Sequence, residues 1–541
     1  MDWVLNQVLP EIPVWKKGEV LEEAVFIWGI IKGYFIIPVL QGLVIFWFAM
    51  SLMLALEGAY TGIVAICLRL IGRNSSNNYK WEPMKDDAEF GSSAYPMVLV
   101  QIPMYNELEV YRLSIAAACG LSWPSDRLII QVLDGSTDPA VRDKVGAECK
   151  RWESEGVNIK HEVRDNRDGF KAGALKLGMS YEYARRCDYV AIFDADFEPD
   201  PDFLRRTVPF LVHNPNLALV QARWKFGNAD ECLMTRIQTM SQDYHFKVEQ
   251  EVGSFIFAFF GYNGSAGVWR NVAIEDAGGW RERTTVEDTD LAVRAFLQGW
   301  KFLYLASVEV NSELPSTFKA FRSQQHRWSS GLANLFRKML IEIITNKKVC
   351  VWKRAYVIYS FFFVRKILAP IVPFVYFCIV IPAAVLLPEV HVPAVGAVSI
   401  VFIITLLNLV GTPRSVPLLI LWLPFENIMS MHRTKAAIMG LAETRGVNEW
   451  VVTEKVGQAP KSQSNSQPIR PVRPRFCSYF TQRVNRLELC MGVYLLGCGC
   501  YELAFGGRTY FPYLFFQAIA FFVVGFGFVG KFIPTSHTEL C

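Results

Sequence analysis

No Cys-x-x-Cys pair occurs anywhere in the 541 residues, although twelve cysteines are present. Cys498 and Cys500 sit in an apolar run with no histidine near them. This argues against a structural zinc site, and the cysteines read as free thiols. Charge is also scarce. Asp, Glu, Lys and Arg make up 20% of the chain, below the usual quarter. The net charge is only +4, so there is no basic surplus of the kind that binds nucleic acid. A cleavable leader is not expected either, because Asp2, Glu11 and Lys16 precede the first apolar block without a short apolar core. What is abundant is apolar. Hydrophobic residues reach 52% and the mean hydropathy is +0.22, values that fit a polar domain joined to membrane segments.

The apolar runs lie at the two ends. Residues 1–33 form a juxtamembrane segment and 34–71 an N-terminal transmembrane segment. The block from Tyr34 to Leu70 exceeds the roughly 20 residues of one span, so it is one long helix or a span plus an interfacial piece. Further spans are expected within 356–425 and 487–530, in runs at 356–387, 392–411, 489–505 and 510–530. That makes roughly five in all. No paired charge stands out inside them, which argues against a transporter. Between them, 426–486 holds a helix at 427–443 expected to lie at the membrane interface and a basic, Pro- and Ser-rich loop at 458–475 that reads as disordered. A tail covers 531–541. In the middle, 88–345 changes character. Short apolar runs at 97–102, 128–133, 157–163, 188–193 and 217–222 alternate with helical patterns. Such alternation predicts a parallel, doubly wound α/β sheet.

In that region acids gather at strand ends. The run "LIIQVL" stops at Asp134, where open α/β sheets place ligands. In "AIFDADFEPD", Asp194 and Asp196 are two apart, and in an extended chain both point one way. Two hard oxygen donors suit a magnesium or manganese ion shared with a diphosphate; taken alone, the pair also reads as a solvated turn. In "RTTVEDTDLAVRA", Glu287, Asp288 and Asp290 open an amphipathic helix. Acids there complement the helix dipole, or one of them is a general base. Gln324, Arg327 and Trp328 have the spacing QxxRW. Arg327 suits a bidentate contact to diphosphate and Trp328 offers an apolar face to a sugar; an interface anchor is the plain alternative. Tyr105 and Glu107 suit stacking on and bonding to a base, Lys171 between two glycines suits a phosphate, and "FFGYNGSAGVWR" (259–270) suits close approach to a saccharide. Asn263-Gly264-Ser265 and Asn74-Ser75-Ser76 are N-glycosylation sequons. Use of Asn263 is not expected, since its loop should be buried at the site.

Strand-end acid, DxD, ED and QxxRW in this order, flanked by spans, are more specific together than singly. The order resembles the inverting GT-A glycosyltransferases of the cellulose synthase superfamily. The text of 220–254, 259–270, 283–295, 311–331 and 447–455 more closely resembles the plant cellulose synthase-like A family, the glucomannan 4-beta-mannosyltransferases. The resemblance implies an α/β GT-A (Rossmann-like) glycosyltransferase domain between N- and C-terminal transmembrane helices, with interfacial helices. It implies a multi-pass enzyme of the Golgi membrane making hemicellulose backbone from GDP-mannose, with GDP-glucose as a second donor and a growing mannan or glucomannan chain as acceptor. A divalent metal, Mn or Mg, would be held by Asp194 and Asp196. Asp134 would contact the nucleoside and Asp288 would be the base. Tyr105, Glu107, Lys171, Gln324 and Arg327 would bind the nucleotide sugar. Phe260, Asn263, Gly264 and Trp328 would bind the acceptor. "WVVTEK" (450–455) resembles a gating loop that would bring Thr453 and Lys455 to the nucleotide. No nucleic acid partner is implied.

The chain departs from the family pattern at several letters. Gly135 stands where the family has a second Asp, Ser330 and Leu332 alter "WSCGPANL", Arg445 and Gly446 are exchanged, and Gly227 replaces a typical Val. None removes a DxD, ED or QxxRW residue. Two other readings stay open: a β-glucan synthase using UDP-glucose, and a weakly catalytic or non-catalytic partner, which Gly135 would favour.

Overall fold

The computed structural model describes residues 14–84, 91–393, 417–443, 484–507 and 509–531. Its centre is one sheet of eight strands: β1 (Val98–Met104), β2 (Leu128–Asp134), β3 (Ile159–Val163), β4 (Tyr189–Ile192), β5 (Glu198–Pro199), β6 (Leu217–Phe226), β7 (Gly267–Arg270) and β8 (Lys301–Ser312). They lie in the order β3-β2-β1-β4-β7-β6-β8-β5. The expected parallel pairing holds for β3, β2, β1 and β4. It fails at β7, which is antiparallel to both β4 and β6, so the sheet is mixed. The reason is topological. Gly267, where β7 begins, pairs with Ile192, where β4 ends. The glycine-rich loop 259–266 therefore sits at the carboxyl end of β4, and a strand leaving from that end must run back.

The sheet is buried on both faces. Val98, Val100 and Ile102 of β1 enter one core, while Leu99 packs with Leu133, Val190 and Ile192 in the other, as alternation along a strand requires. Full burial of such side chains contributes roughly 1.5–3 kcal/mol each. The helix Glu287–Leu297 was expected to be amphipathic, but ten of its eleven residues are buried. It is a central helix, and its charges survive because Asp290 is matched. Arg283 Nε and Arg294 Nε each donate to Asp290 at 2.9 Å. Asp290 is thus a structural ion-pair residue turned away from the cleft.

Among the described residues, three helices are long and apolar enough to cross a membrane: Glu22–Leu70, Val351–Val385 and Arg486–Phe505. A fourth apolar helix, Phe511–Gly525, is shorter. The expected span at 392–411 lies almost wholly outside the described residues. The first block is thus a long helix, packed through Val44 on Tyr376 and Phe377 and through Ala65 on Val248 and Val252. Contrary to the expectation from sequence, the spans do hold a charge pair. Glu57 accepts from Arg365 at 2.9 Å and from Ser360 at 2.5 Å. The partners are too far apart in sequence for the pairing to be seen there.

The helix expected at 427–443 begins earlier, at Leu419, and ends at Ala442. Much of it is covered by protein, while Ile420, Leu421 and Ile438 stay exposed. Ile428, Met429, Ala436 and Ala437 are fully buried, and it packs along the helix Phe318–Thr345. Arg433 Nε donates to Gln325 at 2.8 Å and Asn334 Nδ2 to the Gly440 carbonyl at 3.3 Å. The basic loop 458–475 and the segment 450–455, with Thr453 and Lys455, lie outside the described residues.

Candidate active site

A cleft opens where the carboxyl ends of the central strands meet the start of the helix Phe318–Thr345. Asp194 and Asp196 line it just beyond β4. The Asp194 backbone N–H donates to Ser265 Oγ at 2.9 Å, which ties β4 to the glycine-rich loop. Lys171, in the helix Phe170–Ser180, ion-pairs with Asp194 and donates to the Gly264 carbonyl at 2.8 Å. Asp196 Oδ2 accepts from Ser312 Oγ at 2.8 Å, at the end of β8. Both carboxylates share one cleft wall. Two such hard oxygen donors suit a divalent cation such as Mg or Mn. Among the described residues no group of three or more His, Cys, Asp or Glu is placed to hold a metal ion.

Opposite the DxD pair lies the first turn of the Glu287–Leu297 helix. Asp288 Oδ1 accepts from the Thr289 N–H at 2.6 Å. Burial pushes the Asp288 carboxyl above its ordinary range, against the opposing pull of Lys171. Burial, then the Asp288 charge, does the same to Glu287. Gly264 stands directly over this pair. Its φ is +84°, and a Cβ there would be 2.8 Å from Asp288 Oδ2 and 3.3 Å from Lys171 Nζ. Only glycine satisfies both the left-handed backbone and that approach.

Gln324, Arg327 and Trp328 enter the cleft from one turn of the Phe318–Thr345 helix. Burial lowers the pKa of Arg327, while Glu287, Asp194 and Asp288 act to raise it. The helix is held close to the Glu287–Asp288 turn because Gly331 lets it in; a Cβ there would be 2.6 Å from Thr285 Oγ1. The altered letters nearby leave it continuous. Ser330 Oγ donates to the Arg327 carbonyl at 3.3 Å, and Leu332 packs on the core.

Two residues singled out from sequence lie elsewhere. Asp134 is fully buried and is not in the cleft wall. Its Oδ1 accepts from the Ser136 N–H at 2.9 Å and its Oδ2 lies 3.1 Å from His161 Nε2. It holds the turn after β2. Side chains alternate at a strand end, so the next position, Gly135, faces the cleft instead. Phe260 is 3% exposed and packs edge-on to Phe302 and Tyr304. It is a core residue; the neighbouring Asn263 does line the cleft, its Oδ1 accepting from Gln250 Nε2 at 2.8 Å.

Tyr105 and Glu107 line the far end of the cleft. There the structure adds two residues that the motif reading passed over. The Arg167 guanidinium lies 3.8 Å over the Tyr105 ring, and Arg164 closes its own loop through the Asp168 carbonyl at 3.0 Å. Both stand in the basic run that supplied Lys171, and that run was the available signal. A second cavity adjoins the cleft at Asp288, Asn263 and Trp328 and continues past His245 and Glu249 to Lys366.

Two family models match the chain: Glycosyl transferase family 2 over residues 99–272 and Glycosyl transferase family group 2 over 189–410. The chain is 59% identical to glucomannan 4-beta-mannosyltransferase 9 of Arabidopsis thaliana, over 98% of each protein. It is 60% identical to the probable glucomannan 4-beta-mannosyltransferase 9 of Oryza sativa subsp. japonica, over 96% of this chain and 99% of that one. Among solved structures, the mannosyltransferase PcManGT from Pyrobaculum calidifontis, in complex with GDP-Man and Mn2+, is similar at 16% identity and a TM-score of 0.47, over 74% of this chain and 100% of that one. A likeness of that extent bears on neither donor nor metal here.

Proposed function

The chain belongs to the glucomannan 4-beta-mannosyltransferase family, and on that premise we propose how its cleft transfers mannose from GDP-mannose to the O4 of a growing β-mannan chain. Asp288 takes the proton from O4. The freed oxygen attacks C1 of the α-linked donor from the opposite face, the bond to GDP breaks, and a β-1,4 link forms with inversion. Lys171, Arg327 and Gln324 hold the diphosphate by preorganised charge and hydrogen bonding. Asp194 and Asp196 would hold a Mn or Mg ion, which supplies further charge neutralisation on the departing phosphate. Tyr105, with Arg167 stacked on it, and Glu107 receive the guanosine. The acceptor end rests against Trp328 and Asn263, and the second cavity is the path for the chain behind it. The enzyme resides in the Golgi membrane.

The observation that carries this reading is convergence. Motifs spread from Tyr105 to Trp328 line one cleft, with Asp288 beside the Lys171–Asp194 pair. Microsomes expressing the chain, fed labelled GDP-mannose and UDP-glucose separately and mixed, test it. Label from GDP-mannose is expected in a product that β-mannanase digests. Label only from UDP-glucose would replace the mannan reading with a glucan one.

Two further outcomes are expected. The raised pKa of Asp288 and its neighbour Glu287 puts the acid limb of kcat/KM above the ordinary carboxylate range, with activity falling as pH drops, because the base must be deprotonated. A limb inside the ordinary range would mean that solvent reaches the pair. Gly135→Asp should improve donor use. The position faces the cleft, its φ is not left-handed, and a Cβ would meet only the Met104 carbonyl at 3.7 Å. A hydrogen bond to a charged group contributes about 1.5–3 kcal/mol, or roughly ten- to a hundredfold in donor affinity. An unchanged KM for GDP-mannose would make the position a turn and nothing more.

A further inference from the structure

The second cavity holds a charge that the transfer step does not use. Lys366 lines it together with His245, Glu249, Asn263, Asp288 and Trp328. This lysine stands within Val351–Val385, a helix apolar enough to cross a membrane. A cation there is costly, and such residues face the protein interior or a wet cavity that carries a substrate. Its neighbour Arg365 has a structural partner, since it donates to Glu57 at 2.9 Å. Lys366 has none. It makes no hydrogen bond or ion pair to any described residue. The contact it does make is with the face of Phe361, whose ring centroid lies 5.7 Å from Nζ. Phe361 in turn touches the glycine-rich loop, where a Cβ on Gly261 would be 3.0 Å from its Cζ.

The polar groups beside Lys366 are engaged with one another. Burial pushes the Glu249 carboxyl up, but the His245 hydrogen bond and the Arg365 charge outweigh it and hold the group below its ordinary range. Glu249 is therefore a carboxylate, and His245 Nδ1 donates to its Oε2 at 2.8 Å. The other ring nitrogen, Nε2, lies 3.3 Å from Asn263 Oδ1, which also accepts from Gln250 Nε2 at 2.8 Å. Asn263 Nδ2 is left without a partner among the described residues. Two donors, an ammonium and an amide, thus border one cavity with no acceptor, which is unfavourable until a ligand supplies one. The charges of Glu249 and Asp288 both reach Lys366 and would repel an anion. Neutral hydroxyls satisfy both donors without adding charge, and Trp328 offers the apolar face that a sugar ring needs.

We propose that Lys366 is an acceptor-binding residue, donating to ring hydroxyls of the sugar that precedes the reacting one in the growing chain. The inference rests on the mannan-synthase reading and deepens it. A chain gripped behind its reacting end stays seated while one donor is exchanged for the next, so the same contact lengthens the product.

The test uses the full-length protein purified in detergent micelles, with mannotetraose as the probe. Its binding is measured without donor, and its extension is measured with GDP-mannose. Lys366→Met keeps the apolar stem against Phe361 and deletes an unpaired charge, so it should fold. Its Kd and KM for mannotetraose are expected to rise roughly ten- to a hundredfold, the loss of a hydrogen bond from a charged donor. The KM for GDP-mannose should not move, and products should be shorter. Lys366→Gln, a second neutral variant, should show the same rise in smaller measure. Lys366→Arg keeps charge and donors and should recover most of the affinity, which a packing role would not predict. An unchanged Kd and KM for mannotetraose in both neutral variants overturns the inference. So does an equal rise in the KM for GDP-mannose, which would mark a general distortion of the cleft. The two readings fail separately. Wild-type protein that binds mannotetraose through Lys366 but transfers nothing from GDP-mannose keeps the subsite and loses the mannosyl-transfer reading; transfer that ignores Lys366 does the opposite.

Discussion

Asp288→Asn is expected to lower the rate of mannosyl transfer by roughly 10²–10⁴-fold, the usual contribution of a positioned general base. The substitution is nearly isosteric. The amide oxygen can still accept from the Thr289 N–H, which now lies 2.6 Å from the carboxylate. Asp194, Asp196 and Lys171 are untouched, so the KM for GDP-mannose should change little while kcat falls. One secondary effect sharpens the test. Removing the Asp288 charge takes away one of the influences that hold the Glu287 pKa up, so residual activity should show its acid limb at lower pH. The readout is initial incorporation of labelled mannose in microsomes across a pH series. Wild-type kcat in this variant would dismiss Asp288 as the base, and a loss confined to KM would make it a binding residue.

Gly264→Ala should be nearly as damaging although it removes no functional group. The backbone there has φ +84°, which costs a residue with a Cβ roughly 1–2 kcal/mol. The added methyl would also lie 2.8 Å from Asp288 Oδ2, closer than such contacts allow. Something must shift, and the neighbours are the base and the lysine that pairs with Asp194. A displacement of about 1 Å in a catalytic group can cost on the order of 10²-fold. Gly227→Ala is the matched control, because a Cβ at Gly227 meets nothing within 4 Å; its activity should be unchanged. If Gly264→Ala transfers mannose at the wild-type rate, the loop has room to retreat and does not confine the base.

Gly264 also shows how a role differs from what the letters suggest. From sequence it belongs to a loop expected to meet the acceptor. Its importance comes from a contact with Asp288, twenty-four residues away, that only folding creates. Asp134 shows the reverse. A strand ending in an acid is a sound sign of a ligand site, and the site is there, but the acid that remained is the one facing inward. Gly135 faces the cleft. Alternation of side chains makes the two positions opposite in kind, and a run that is buried throughout gives no periodic signal to tell which is which. Phe260 is a second case: the loop offers no period to say which residues face the cleft, and only packing separates Phe260, in the core, from Asn263, at the cleft.

The strands β1 to β4, the apolar helices and the acids of the DxD and ED motifs were legible because each depends on neighbours in the chain. Apolar runs, turn residues and spacing carry that information locally, and the near full-length identity to curated relatives rests on the same letters. The antiparallel β7 was not legible, since four residues carry no period and its direction follows from where the preceding loop must sit. Nor were the Glu57–Arg365 pair, the buried setting of the helix Leu419–Ala442, or the inward turn of Asp134. Those are decided by contacts between residues tens to hundreds apart, which no local pattern specifies. The sequence by itself determined the elements, the chemistry available and the family. The tertiary structure decided which side chains face the cleft, because that choice is made by the packing of one element against another.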